Sequence, residues 1–368
     1  MNVLQVVPEL NAGGVEGTTI EIAQALREHG HGAHIVSAGG RMEAALGEIG
    51  AMLHRSDIGS KNILTIPHRI NFLRHIIQQN QIDILHARSR APAWPSYYAA
   101  RSEAIPFVTT YHGIYNARSR LKRGYNSIMA KGEAIIANSD YTKAHITKTH
   151  KVAPERITTI HRGVDMARFY PAKISASAIA AQRQAWGVSE AAQLILLPGR
   201  LTRWKGQIIA IKALAELPAH CTLVLLGDAQ GRDDYVAELK ALTQKLGLAD
   251  RVIFAGHSQD MPTALAAADI VISASTDPEA FGRIAIEAQA MGRPVVSSAH
   301  GGALETVKEG LSGYLTPPAD SSALAEGIMR AQDWPDYDKE RVRARIAQKF
   351  SARALQLKTL ALYKTLLI

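Results

Sequence analysis

Short apolar runs recur along this chain, each closed by glycine or a polar turn and followed by residues at helical spacing. No other feature restricts the possible folds as strongly. The first run, "NVLQVVP", leads into the glycine loop "ELNAGGVEG", the helical stretch "TTIEIAQALREHGH" and the next run, "HIVSAGG". Strand, loop, helix and strand make a βαβ unit. Strands of a parallel sheet are covered on both faces, so they read as continuous rather than alternating apolar runs. Further strands are predicted at "DILHA" (83–87), "PFVTTYH" (106–112), "EAIIANS" (133–139) and "RITTIHRGV" (156–164).

From Asp165 to Ala191 the pattern loosens into an expected linker and a first helix. A second series then begins, with strands at "LILLPG", "CTLVLLGD", "RVIFAG", "DIVISAS", "RPVVSSA" and "GYLTP". The stretch "RLTRWKG" is a loop and "QIIAIKALAEL" a helix between the first two of these strands. The second half repeats the architecture of the first without repeating its sequence, and 368 residues are ample for two cores. The expectation is α/β, with two Rossmann-like doubly wound domains over 1–168 and 169–350. The end, "SARALQLKTLALYKTLLI", is predicted as one terminal helix, 351–368.

Hydrophobic residues make up 47% of the chain and charged residues 20%, values of an ordinary globular protein. No apolar run approaches the roughly 18–20 residues that span a bilayer. The opening residues have no basic leader and too short an apolar stretch for a signal peptide, so a cytoplasmic location is expected. The single cysteine, Cys221, excludes an intrachain disulfide and a cysteine zinc cluster. The net charge of +9 favours polyanionic partners: nucleic acid, acidic lipid or phosphorylated substrates. That charge is concentrated, since Glu103 is the only acid between Asp83 and Glu133.

Five stretches are candidates for chemistry or binding. In "NAGGVEG", Gly13 and Gly14 bring backbone N–H groups toward a helix start, where a phosphate can bind; a tight turn is an equal reading. In "PGRLTRWKGQ", Arg200 and Lys205 suit a diphosphate, and the loop stands at the carboxyl end of a strand, where open sheets bind ligands. In "PEAFGRIAIEAQAMGRP", Glu287 lies on a largely apolar helix and needs hydrogen-bond donors such as sugar hydroxyls. Glu279 precedes that helix, and Phe281 and Gly282 offer backbone N–H groups at its start; a salt bridge from Glu287 and a surface Glu279 are the plain alternative. His112, in "TTYHGIY", ends a strand and can hydrogen-bond a hydroxyl or phosphate, although a lone histidine is more often structural. Arg118, Arg120, Lys122 and Arg123 are interleaved with Leu121 and Tyr125, which suits an anionic membrane or simply a solvated face. No histidine spacing points to a metal.

Taken in order, "GGVE", "YHG", "ANSDYTKAHI", "IHRGVDMARFYP", "GRLTRWKG", "LLGD", "AFGRIAIEAQAMGRPVV" and "GGALETVKEGLSGYL" resemble the retaining glycosyltransferases of family 4, which have the GT-B fold. Glu279 and Glu287 match that family's E-x7-E pattern. The resemblance implies two domains facing a cleft, a terminal helix crossing back to the first, and a nucleotide-sugar donor (UDP or GDP) without a metal or other cofactor. It implies donor binding by Gly14, Arg200, Lys205, Phe281, Gly282 and Glu287. Glu279, His112, Arg200 and Lys205 would act at the reacting sugar and diphosphate. Arg118, Arg120, Lys122 and Arg123 would meet a glycolipid or lipid-linked acceptor of lipopolysaccharide type, with peripheral contact at the inner membrane face. The alternatives are a small soluble metabolite as acceptor, a basic nucleic-acid-binding protein (disfavoured for want of an RNA-type aromatic motif) and a non-catalytic nucleotide-sugar sensor. The chain departs from the family in three places. It lacks the lysine that glycogen and starch synthases carry before the paired glycines. Arg162 replaces the amide of N-G-V-D, and Arg283 replaces an aliphatic residue, where it is expected to face a charged donor or acceptor.

Overall fold

The computed structural model describes residues 1–11, 13–115 and 119–368. Its strands are β1 (Asn2–Val6), β2 (Gly32–Ser37), β3 (Met52–Arg55), β4 (Ile84–Ala87), β5 (Phe107–Tyr111), β6 (Ala134–Ala137) and β7 (Ile157–Thr159), then β8 (Gln193–Pro198), β9 (Cys221–Leu226), β10 (Val252–Gly256), β11 (Ile270–Ser273), β12 (Val295–Ser298) and β13 (Gly313–Thr316). They form two sheets, ordered β3-β2-β1-β4-β5-β6-β7 and β10-β9-β8-β11-β12-β13. Every pairing is parallel; Val3 stands opposite Ala33 and Ile84, and Ile195 opposite Leu223 and Ile270. The chain winds outward from β1 in one direction, then from β4 in the other, and does the same about β8 and β11. Each sheet therefore has one switch point, beyond whose carboxyl ends a crevice for ligand opens.

The burial explains why the strands were legible as apolar runs. Leu4 and Val6 point into one core of the first sheet, whereas Val3 and Ile35 point into another on the opposite face. In the second sheet Ile195, Leu197, Leu223 and Leu225 share one core and Leu194, Leu196, Val224 and Leu226 the other. Successive side chains alternate faces, and both faces are covered by helices.

The contacts divide the chain into two compact units, Met1–Arg162 with Ala352–Ile368, and Gly163–Ser351. Two details differ from the sequence reading. The run 156–164 is a strand only over Ile157–Thr159, opposite the end of β6 at Ala137, and Arg162 beyond it hydrogen-bonds His112. The expected linker is part of the second core, where Phe169 is buried and packs with Val164 and Phe350. The final helix, Ala352–Thr365, seats Leu355, Leu360 and Tyr363 in the core that contains Ile22 and Leu26. Among the described residues no helix is long and apolar enough to cross a membrane.

Candidate active site

The second unit gathers its polar groups on the loops that leave β8, β11 and β12. The loop after β8 ends at Gly206, whose φ of 75° caps the helix Gln207–Ala215. A Cβ at Gly206 would lie 1.8 Å from the carbonyl oxygen of Ala274, so only glycine brings these two loops together. That approach carries Lys205 to Glu279: Lys205 Nζ donates to Glu279 Oε1 at 2.7 Å. Ser275 Oγ donates to the same oxygen at 2.6 Å and Ser273 Oγ at 3.4 Å. Among the described residues no donor reaches the other oxygen, Oε2. Burial pushes the Glu279 carboxyl up, but the Lys205 charge and the two hydroxyls outweigh it and hold it below the usual glutamate range.

The loop after β12 closes the same site. His300 Nε2 lies 2.8 Å from the Ser275 carbonyl oxygen and donates to it. Gly302 N donates to the Glu279 carbonyl oxygen at 2.8 Å. Ser273, Ser275, Glu279, Gly282 and His300 line one cavity. The serines and His300 were not singled out in the sequence; small polar residues at the ends of "DIVISAS" and "RPVVSSAHGG" were the available signal.

The remaining predicted residues divide. Arg200 lies exposed on the β8 loop, and its side chain makes no hydrogen bond or ion pair among the described residues. Gly282, at φ 81°, caps the helix Arg283–Ala290. Phe281 is 2% exposed with its ring 5.9 Å from that of Phe350, so a role for it in donor binding falls to its main chain. Glu287 is buried on that helix, and Arg283, one turn earlier, donates from Nη2 to its Oε1 at 2.8 Å. Burial raises the Glu287 carboxyl, opposed by Arg283 and Arg168. Arg283 is thus engaged with a carboxylate of its own helix, while its side chain remains 40% exposed.

In the first unit His112 follows β5. Arg162 Nη2 donates to its Nδ1 at 3.1 Å and to its carbonyl oxygen at 3.2 Å, and Asn138 Nδ2 donates to that oxygen at 3.2 Å. Gly14 begins the helix Gly14–Glu28, and a Cβ there would lie 2.0 Å from Arg162 Nη1. Burial, then the charges of Arg162 and Arg88, keep the His112 ring neutral, well below the usual imidazole range. An open pocket of about 370 Å³ at the ends of β1, β2 and β3 is lined by Glu9, Asn11, Gly39, Gly40 and Asp57. Arg120, Lys122 and Arg123 are exposed on the helix Arg120–Asn126 beside Leu121, which is 88% exposed; Arg118 lies outside the described residues.

Residues 12–168 match the family described as Glycosyltransferase Family 4, and residues 178–349 match Glycosyl transferases group 1. A solved glycosyltransferase from Rickettsia africae superposes with a TM-score of 0.91 at 34% identity, covering 100% of this chain and 98% of that one. The chain belongs to the GT-B glycosyltransferases. HepE of Anabaena, solved with UDP and with UDP-glucose, is similar to this family member at 28% identity with a TM-score of 0.87 in the UDP complex, covering 99% and 100% of the two chains. A D-inositol 3-phosphate glycosyltransferase of Xylanimonas cellulosilytica is 31% identical over 270 residues. That match takes in 68% of this glycosyltransferase, which spans 64% of the relative's length.

Proposed function

We propose that this glycosyltransferase moves a sugar from a UDP-sugar to a small, soluble, polyhydroxylated or phosphorylated acceptor, with retention at the anomeric carbon. The carrying observation is the Lys205–Glu279 pair, which leaves Glu279 Oε2 open for a sugar hydroxyl. The UDP complexes of HepE and the inositol-phosphate acceptor in the name of the Xylanimonas relative support the choice of donor and acceptor class. The carboxylates and amide lining the pocket beside β1–β3 are groups that bind polyols.

In the proposed reaction the acceptor hydroxyl oxygen bonds to the anomeric carbon as the bond to the diphosphate breaks. The electron pair leaves with the diphosphate, and a phosphate oxygen of the leaving group takes the hydroxyl proton. Arg200, whose charge is unpaired among the described residues, stabilises the departing diphosphate, and Lys205 does so while anchored by Glu279. Glu287 accepts the ribose hydroxyls. These cations take the part that a metal plays in other transferases, so turnover is expected to persist in EDTA.

Thermal shift against UDP-, GDP-, ADP- and CMP-sugars tests the donor, since a ligand at 100 times its dissociation constant stabilises by about 2.7 kcal/mol. Turnover of UDP-glucose with inositol 3-phosphate and with glycolipid then tests the acceptor. Stabilisation by none of the four would sink the reading. A second reading, a lipid-linked acceptor at the cytoplasmic membrane face, is favoured by Leu121 standing exposed among Arg120, Lys122 and Arg123. It predicts binding to anionic vesicles that is lost when those three charges are neutralised.

A further inference from the structure

The contact between Arg162 and His112 determines which proton the imidazole carries. A guanidinium has only N–H groups to offer, so Nδ1, at 3.1 Å from Arg162 Nη2, must accept with its lone pair. In a neutral ring the proton then sits on Nε2. Arg162 Nη2 also donates to the His112 carbonyl oxygen, and Asn138 holds that carbonyl from another side, so ring and backbone are fixed together. The guanidinium fits only because residue 14 is glycine. Nε2 itself is buried and has no hydrogen-bond partner among the described residues. His112 lines a small cavity of about 20 Å³ with Arg88, Thr18, Asn138 and Arg162, enough for one oxygen atom.

We propose that Arg162 is a positioning residue that locks His112 as an Nε2–H donor, which donates a hydrogen bond to one oxygen of a bound sugar or phosphate and keeps its proton. This assignment removes His112 from consideration as a general base, because its one lone pair is already occupied. It also accounts for two sequence features together: the arginine that replaces an amide before Gly163, and the glycine at position 14. The inference rests on the functional reading only for the identity of the ligand.

Long-range nitrogen–proton correlation spectra of protein labelled with 15N-histidine test it, with the His112 signals assigned from their disappearance in His112→Gln. The expected result is a neutral ring protonated at Nε2 in the wild type. Arg162→Lys, which still offers a donor, keeps that tautomer, and Arg162→Met loses it. In turnover, Arg162→Met lowers kcat/KM about tenfold, the equivalent of one hydrogen bond, and Arg162→Lys recovers most of the loss. Separate titrations with UDP-glucose and with inositol 3-phosphate identify the source of the oxygen by which one shifts the Nε2–H signal. A wild-type ring protonated at Nδ1, or an unchanged tautomer in folded Arg162→Met, overturns the inference, as does an Nε2–H signal that neither ligand moves at saturation. If Arg162→Met does not fold, the wild-type and Arg162→Lys spectra decide. Absence of wild-type turnover with a correct tautomer would instead count against the functional reading.

Discussion

At the scale of single residues, Arg200 and Lys205 are both cations on the β8 loop but are held differently. Lys205 is anchored to Glu279 with both side chains mostly buried, whereas Arg200 is exposed. Arg200→Ala is therefore expected to cut kcat by roughly 10²–10³, the cost of losing one donor to developing charge, with little change in Tm. Lys205→Met is expected to lower turnover and also to destabilise by roughly 2–3 kcal/mol, below the range for fully buried pairs because both side chains keep some solvent contact. Kinetics and urea unfolding on both variants check the contrast. The pair also sets a pH dependence. A carboxyl whose folded-state pKa is depressed adds stability above its unfolded-state value and loses it as pH falls through the folded one. The stability gap between wild type and Glu279→Gln is thus expected to be full at pH 7, to begin shrinking near the ordinary glutamate value of about 4.3, and to be lost as pH falls through the lower folded-state value. For Glu287 the sign is opposite, because burial already favours its protonated form. If Glu287 accepts ribose hydroxyls as proposed, Arg283→Met is expected to raise the donor KM more than it lowers kcat, since an uncharged Glu287 would hold them less well. The two glutamates were legible as a spaced pair in one stretch. Arg283 was not legible as a partner, because a residue one turn away on a helix points to its neighbour or to solvent according to how the helix packs. Ser275 and His300 were missed because only the sheet, not the sequence, brings the loops after β11 and β12 together.

At the scale of elements, the strands were legible wherever both faces are covered. β3 was not: Met52 and Arg55 are exposed, and "MLHR" at the edge of a sheet carries no apolar run. The loops depend on glycine to different extents. At Gly206 a methyl group would strike the Ala274 backbone and strain a left-handed residue, so Gly206→Ala is expected to destabilise by more than about 3 kcal/mol. At Gly14 the collision is with the end of a flexible side chain. Gly14→Ala is expected to displace Arg162, leave Tm within a few degrees of wild type and lower activity to the level of Arg162→Met. Thermal melts and steady-state rates on the two alanine variants separate a glycine that the fold requires from one that the site requires.

At the scale of the whole molecule, the first unit is completed by the final helix. Tyr363 Oη lies 2.5 Å from His86 Nδ1, and His86 Nε2 lies 2.7 Å from Thr110 Oγ1, so the helix is tied to the middle of the sheet through buried polar groups. Tyr363→Phe leaves a buried nitrogen without its partner, at a cost of about 1–3 kcal/mol. Calorimetry is expected to show that loss in the transition of the first unit, while UDP raises the transition of the second. That the last apolar stretch is a helix was plain from its spacing, but which core it fills was not, because spacing does not tell a helix where to dock. One consequence concerns biosynthesis. Residues 163–351 are contiguous and can fold as soon as they emerge from the ribosome, whereas residues 1–162 wait, with part of their core uncovered, until residues 352–368 have been made. For this chain the half translated first is the half finished last, reversing the usual order in which domains mature during synthesis.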